Sequence, residues 1–155
     1  MRILITYPPL LKTKGVPALT QERFFAWLGG EDVFIYPIVP ATAATMLKQN
    51  GFDVTFLDCI ANKFNWQQFL QTIDRIHPDL IVMETKTPII KQYWQIIERL
   101  KRAIPEIKVA LCGDHVSVLP KESLEQSLVD YVLTGGDFDF TLLELAQHLE
   151  GGTEL

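Results

Sequence analysis

Short apolar runs, each closed by a turn-forming or charged residue, recur along this chain and alternate with stretches whose apolar positions fall at helical spacing. Arg2 to Thr6 reads as a first strand, closed by Tyr7-Pro8-Pro9, because proline brings no amide hydrogen to a sheet ladder. Pro40 to Asn50 reads as a helix, with proline in its first turn and Gly51 just past its end. Asp53 to Leu57 is a second strand, closed by Asp58. Asn65 caps a helix whose apolar face is Trp66, Phe69, Leu70, Ile73 and Ile76, and His77-Pro78 ends it. Asp79 to Met83 is a third strand. The helix after it turns Ile90, Tyr93, Trp94, Ile97 and Leu100 inward and stops before Pro105.

Lys108 to Pro120 is the stretch around which the rest is organised. Its run Val109-Ala110-Leu111-Cys112 reads as a buried parallel strand that stops at Gly113-Asp114-His115. A short helix spans Lys121 to Ser127. Asp130 to Leu133 is the fifth strand, ending at Thr134-Gly135-Gly136-Asp137, and Phe140 to Leu149 is the last helix, with Leu142, Leu145, Ala146 and Leu149 facing inward.

Strands alternating with helices predict an α/β, Rossmann-like (flavodoxin-like) open parallel sheet of five strands, with helices on both faces and strand order 2-1-3-4-5. In such a sheet a ligand binds beyond the carboxyl ends of the strands, at the switch point between the first and third. That places candidate binding residues at Tyr7, Pro8 and Pro9, at Glu84, Thr85, Lys86 and Thr87, and at Gly113, Asp114 and His115, flanked by Gly135 and Gly136. At Gly113-Asp114-His115 the competing expectation is a structural turn whose histidine is satisfied by a neighbour. Residues 10–38 break the alternation as a long irregular insert. Phe24, Phe25, Trp27 and Leu28 form an apolar knot within it, read as a short helix. These aromatics either present a face to a ligand or partner, or cover one end of the sheet.

Composition narrows the function classes. The chain of 155 residues is enough for one domain, and a formal net charge of -5 with no basic run argues against nucleic acid as a partner. No apolar run approaches the ~20 residues needed to span a bilayer. Cys59 and Cys112 lack metal-ligand spacing and read as buried thiols in a reducing compartment, hence a cytoplasmic protein. Neither a Gly-x-Gly-x-x-Gly fingerprint nor a Walker-type loop is present. A receiver phosphoacceptor after the third strand would be Asp, where Glu84 stands, and no Gly-x-Ser-x-Gly elbow occurs. His77, His115 and His148 are scattered, and only His115 sits at a strand end. A small stand-alone enzyme using His115 and Asp114 as acid and base is disfavoured, since neighbours at a turn diverge. The loops suit a platform for a large, mostly neutral ligand.

Several stretches then resemble one family, the N-terminal cobalamin-binding domain of cobalamin-dependent radical S-adenosylmethionine enzymes. Ile3-Leu4-Ile5-Thr6-Tyr7-Pro8-Pro9 is similar to that family's apolar strand followed by Asn-Pro-Pro. Pro37-Ile38-Val39-Pro40-Ala41, with Leu47 and Gly51-Phe52-Asp53-Val54, resembles its Pro-Leu-Gly-Leu-Ala helix start. Lys86-Thr87-Pro88 resembles its Met-Thr-Pro, and Gly113-Asp114-His115 with Leu119-Pro120 resembles its Gly-Gly-x-His and Leu-Pro. Val129 to Val132 and Thr141-Leu142-Leu143-Glu144-Leu145 complete the resemblance, which covers nearly the whole chain.

The resemblance implies a domain, residues 1–150, that holds cobalamin over its strand ends at the candidate residues named above. Residues 151–155 would begin a linker to a C-terminal radical S-adenosylmethionine domain carrying a [4Fe-4S] cluster and S-adenosylmethionine. The Cys-x3-Cys-x2-Cys cluster motif of that domain is absent here, so this chain alone is not expected to be catalytic. In such enzymes cobalamin commonly relays a methyl group. The Asp-x-His-x-x-Gly loop of methionine-synthase-type domains is replaced by Tyr7-Pro8-Pro9, which implies binding with no histidine from that loop on cobalt. Asp114 replaces a glycine of the family, and Gly135-Gly136-Asp137-Phe138-Asp139 alters its Gly-Glu-Gly-Glu. A docking or regulatory domain of the same fold without cobalamin is the alternative.

Overall fold

The computed structural model describes residues 1–19, 25–29, 33–136 and 138–151. Strands β1 (Arg2–Tyr7), β4 (Asp53–Asp58), β5 (Leu80–Glu84), β6 (Lys108–Cys112) and β7 (Tyr131–Val132) form one sheet in the order β4-β1-β5-β6-β7. Every pairing in it is parallel. Counting only these strands, the order is the 2-1-3-4-5 expected from the sequence.

The period-two alternation of the strands sorts their side chains between two cores. Leu4, Ile81, Met83, Val109 and Leu111 face one side. There they meet Phe69 and Ile73 of α2 (Trp66–Ile76) and Tyr93, Ile96, Ile97 and Leu100 of α3 (Ile90–Ala103). Ile3, Ile5, Leu80, Val82, Ala110 and Cys112 face the other. They meet Ala43, Ala44 and Leu47 of α1 (Ile38–Gln49) and Leu142, Leu145 and Ala146 of α6 (Phe138–Leu149). Both faces of the central strands are therefore dry, which is why those strands read as unbroken apolar runs. The described residues contain no helix long and apolar enough to cross a membrane.

Local chemistry sets the ends of the elements. Asn65 Oδ1 accepts from the Gln68 amide and Gln68 Oε1 accepts from the Asn65 amide, both at 2.9 Å, a complete capping box on α2. His77 closes that helix in a left-handed conformation, φ 50°. Asp58 Oδ1 accepts from the Ile60 and Ala61 amides at 2.9 Å, holding the turn after β4.

Four local expectations are corrected. β1 runs on to Tyr7 and β5 to Glu84, because Tyr7 still pairs with Asp58 and Glu84 with Cys112. The segment after β6 is not an open turn: Asp114–Val118 coils into a short helix, α4, before α5 (Pro120–Gln126). α6 begins at Phe138, two residues before the expected Phe140, and buries Phe138. Within the insert, Trp27–Leu28 (β3) is not helical but pairs antiparallel with Val16–Pro17 (β2). Phe24 lies outside the described residues. Leu19 packs with Tyr7 in the core, and Phe25 and Trp27 pack against it. This part of the insert therefore covers the carboxyl end of β1.

Candidate functional site

β5 and β6 end side by side, and the Thr85 amide donates to the Cys112 carbonyl at 2.9 Å, extending the ladder one step beyond β5. Gly113 then turns with φ +103°, and a Cβ there would stand 2.4 Å from the Thr85 carbonyl oxygen. Glycine is required at this point by the neighbouring strand end. From that turn α4 leads across the sheet edge. Ser117 Oγ lies 2.9 Å from the Gly113 carbonyl and 3.1 Å from the Gly135 carbonyl, and it accepts from the Gly135 amide at 3.2 Å. One hydroxyl thereby ties the loop after β7 to the start of α4.

The result is an open cavity of about 790 Å³ at the carboxyl ends of β5, β6 and β7. Of the residues expected from sequence, Lys86, Thr87, Gly113, Asp114, His115, Gly135 and Gly136 line it together. Asp137 lies outside the described residues. A Cβ at Gly135 or Gly136 would meet nothing within 4 Å, so backbone is presented to the cavity there. Pro88, Ser117, Val118, Leu119 and Phe138 also line it, and so does Phe25, which reaches it from the insert. Val118 and Leu119 are exposed at the end of a helix too short to show periodicity, and that apolar pair was the available signal.

The remaining expected residues lie elsewhere. Tyr7, Pro8 and Pro9 are buried at the end of β1, and Pro9 borders a separate cavity of about 270 Å³ with Cys59, Lys63 and Phe64. Glu84 and Thr85 are also buried. Tyr7 Oη lies 2.5 Å from Glu84 Oε2 and 3.0 Å from the Leu19 carbonyl oxygen. Burial, opposed by the Tyr7 bond and by Lys86, holds the Glu84 carboxyl above the usual carboxylate range. Burial and the adjacent Glu84 push Tyr7 strongly upward. Lys86, itself buried, pairs with the half-exposed Asp114 at the cavity edge.

His115 is 3 % exposed. Its Nδ1 lies 3.3 Å from Thr87 Oγ1, its Nε2 3.1 Å from Glu122 Oε2, and its ring meets Trp94 edge-on at 6.2 Å. Nδ1 thus faces a hydroxyl, while the buried Nε2 lies near the Glu122 carboxylate without a hydrogen bond among the described residues. Cys59 and Cys112 are buried and unpaired as disulfides. Burial pushes the Cys59 thiol to about 12 and Cys112 well above its ordinary value, so neither is a ready nucleophile. Among the described residues no group of three or more His, Cys, Asp or Glu is placed to hold a metal ion.

The model of the B12 binding domain family matches residues 33–139. This chain belongs to the B12-binding domain family. The matched span includes the β5, β6 and β7 ends and every described cavity residue except Phe25, while β1 and residues 10–32 precede it. No curated protein matches the chain. Among solved structures, an atypical orphan response regulator, described as having a phosphorylation-independent regulatory mechanism, superposes with a TM-score of 0.57 at 14% identity, covering 99% of this chain and 100% of that one. The Salmonella typhimurium RcsB response regulator, studied for conformational dynamism in DNA interaction, gives 0.60 at 11% identity, and the match covers 100% of this chain and 64% of that one. At such identities these two likenesses establish the fold alone.

The cavity residues of this B12-binding domain fit a corrin. The cavity offers open backbone at Gly135 and Gly136 and hydroxyls at Thr87 and Ser117. Tyr7, Pro8 and Pro9 at the end of β1 are buried and include no histidine.

Proposed function

We propose that this chain is the cobalamin-binding module, residues 1–150, of a cobalamin-dependent radical S-adenosylmethionine enzyme. Residues 151–155 would lead toward the partner domain that carries the [4Fe-4S] cluster and S-adenosylmethionine. The observation that carries the reading is a roomy cavity at the strand carboxyl ends, inside the family's matched span, with glycine backbone open to it. Cobalamin supplies methyl-carrying cobalt chemistry in such enzymes. The chain's own work is to hold and orient. Gly135 and Gly136 admit the corrin edge, and Ser117 fixes their loop. Thr87, Lys86 and Asp114 offer polar groups to its amide side chains, and Gly113 sets the course of α4. Tyr7, Pro8, Pro9, Glu84 and Thr85 support this surface from below. Tyr7-Pro8-Pro9 stands where a ligating histidine would be expected, so cobalt receives no histidine from the β1 loop. Two buried free thiols suit a cytoplasmic setting.

A docking role for the same fold is favoured by one observation. Val33, Ile35, Tyr36 and Ile38 are exposed at the end of the insert, a run of apolar side chains of the kind that marks a protein contact. One experiment separates the readings. The purified chain is mixed with hydroxocobalamin, passed through gel filtration, and examined by visible and cob(II)alamin spin-resonance spectroscopy. Retained corrin without nitrogen hyperfine coupling is expected. Coupling to a protein nitrogen would overturn the histidine-free mode. Failure of both this chain and its longer parent to retain corrin would leave the docking role.

A further inference from the structure

Tyr7 has one hydroxyl proton and two oxygen neighbours at hydrogen-bond distance, Glu84 Oε2 at 2.5 Å and the Leu19 carbonyl at 3.0 Å. The Leu19 carbonyl can only accept. If Glu84 were a carboxylate it too could only accept, and one proton would have to serve both. A proton on Glu84 resolves the count: Glu84 donates to Tyr7 Oη, and Tyr7 donates to Leu19.

The rest of the surroundings point the same way. Glu84 is 3 % exposed, and its Oε1 has no hydrogen-bond partner among the described residues. A carboxylate would leave a charged oxygen bare in that site, whereas a neutral acid leaves only a carbonyl. The groups that face it are Tyr7 from β1, Tyr93 from α3, Cys112 from β6, Lys86 beyond the end of β5 and Asp114 from α4. Burial keeps Tyr93 and Cys112 neutral. Lys86 favours the carboxylate, but it is paired with Asp114, whose charge acts in the opposite direction.

The relay ends on the insert. Leu19 follows Ala18, whose amide donates to the Ala26 carbonyl at 2.9 Å, and Ala26 follows Phe25, which walls the large cavity. Phe25 is braced in turn by Trp27, edge-on at 5.5 Å. We propose that Glu84 carries a proton at neutral pH and donates it to Tyr7, committing the Tyr7 proton to Leu19, and that this buried relay positions the insert wall of the cavity. Glu84 and Tyr7 are positioning residues, acting through Leu19 and Ala18 on Phe25. For its consequence in cofactor binding the inference rests on the cobalamin reading, but the relay itself is measurable without any ligand.

Infrared difference spectra of the wild-type chain and Glu84→Gln at neutral pH test the proton directly. The wild type is expected to show the carbonyl stretch of a protonated carboxyl that the variant lacks. Loss of carboxylate bands instead would overturn the proposal. Amide exchange followed by NMR tests the positioning. Tyr7→Phe, which removes the donor to Leu19, is expected to speed exchange at Ala18 by about fivefold to tenfold, the effect of one lost hydrogen bond. Glu84→Gln, whose side-chain amide can still donate to Tyr7, is expected to stay near the wild type. Unchanged Ala18 exchange in a folded Tyr7→Phe chain would overturn the positioning role, and if that variant does not fold, the infrared arm decides. Failure of both the wild-type chain and its longer parent to retain hydroxocobalamin, with the carboxyl band present, sinks the cofactor reading and leaves the relay. Retention with a carboxylate signature does the reverse.

Discussion

Gly113 and Gly136 both border the large cavity, yet their surroundings give them different work. At Gly113 a methyl would press on the Thr85 carbonyl, and the backbone sits at φ +103°. Both faults fall on main chain that the β5–β6 ladder fixes, so neither relaxes cheaply. Gly113→Ala is expected to lose about 2–3 kcal/mol in denaturant unfolding, the range of a strained non-glycine conformation with a backbone contact. At Gly136 a methyl meets nothing within 4 Å. Gly136→Ala is expected to keep stability within about 0.5 kcal/mol while lowering hydroxocobalamin retention, because the methyl enters the proposed corrin surface. Sequence alone named Gly113 among the candidate binding residues at a strand end. What approaches it is the neighbouring strand end, and a residue's spatial neighbour is not written in its own local pattern.

Elements differ in how plainly their residues announce them. α2 combines an asparagine cap, a reciprocal Gln68 and an apolar stripe, so its start was legible from Asn65. The cap also carries a measurable share of its stability. Asn65→Ala is expected to cost about 1 kcal/mol in unfolding free energy, since it strips the Gln68 amide of its acceptor at an exposed helix start. The core strands were equally legible, because a strand buried on both faces must be apolar throughout. α4 was not. It spans Asp114–Val118, little more than one turn, and its first residues are the polar ones at which the β6 run was expected to stop. The ribbon of Val16–Pro17 with Trp27–Leu28 was also missed, since two-residue strands carry no alternation to detect. α4 builds much of the candidate site's wall and the insert adds Phe25, so the sheet edge was readable and the shape of the cavity was not.

At the scale of the whole molecule, the strand order followed from alternation and crossover handedness, but the charge balance of folding depends on pairs that only the fold creates. Two carboxyls make the stability of this chain respond to pH in opposite senses. Burial alone would raise Asp130, but Lys101 at 2.5 Å, the Val109 amide at 2.8 Å and Lys108 at 3.3 Å bring it below the ordinary aspartate value. Its contribution is therefore present above the unfolded pKa, about 3.9, and is lost as pH falls through the lower folded value. Glu84 is raised in the fold by burial. Its favourable contribution is present below its unfolded pKa, about 4.3, and is lost as pH rises through the higher folded value. Asp130→Asn is expected to cost about 1 kcal/mol at neutral pH, a modest figure because solvent screens part of the pair, and to cost less as the solution is acidified. Glu84→Gln should behave in the other sense: its stability relative to the wild type improves as pH climbs above about 4.3 toward the folded value, because the variant has no proton to lose. Urea unfolding of the three chains across this range checks both slopes. A Glu84→Gln difference that stays flat over the whole range would show that Glu84 titrates alike in the folded and unfolded chain, and the buried acid beneath the insert would lose its special standing.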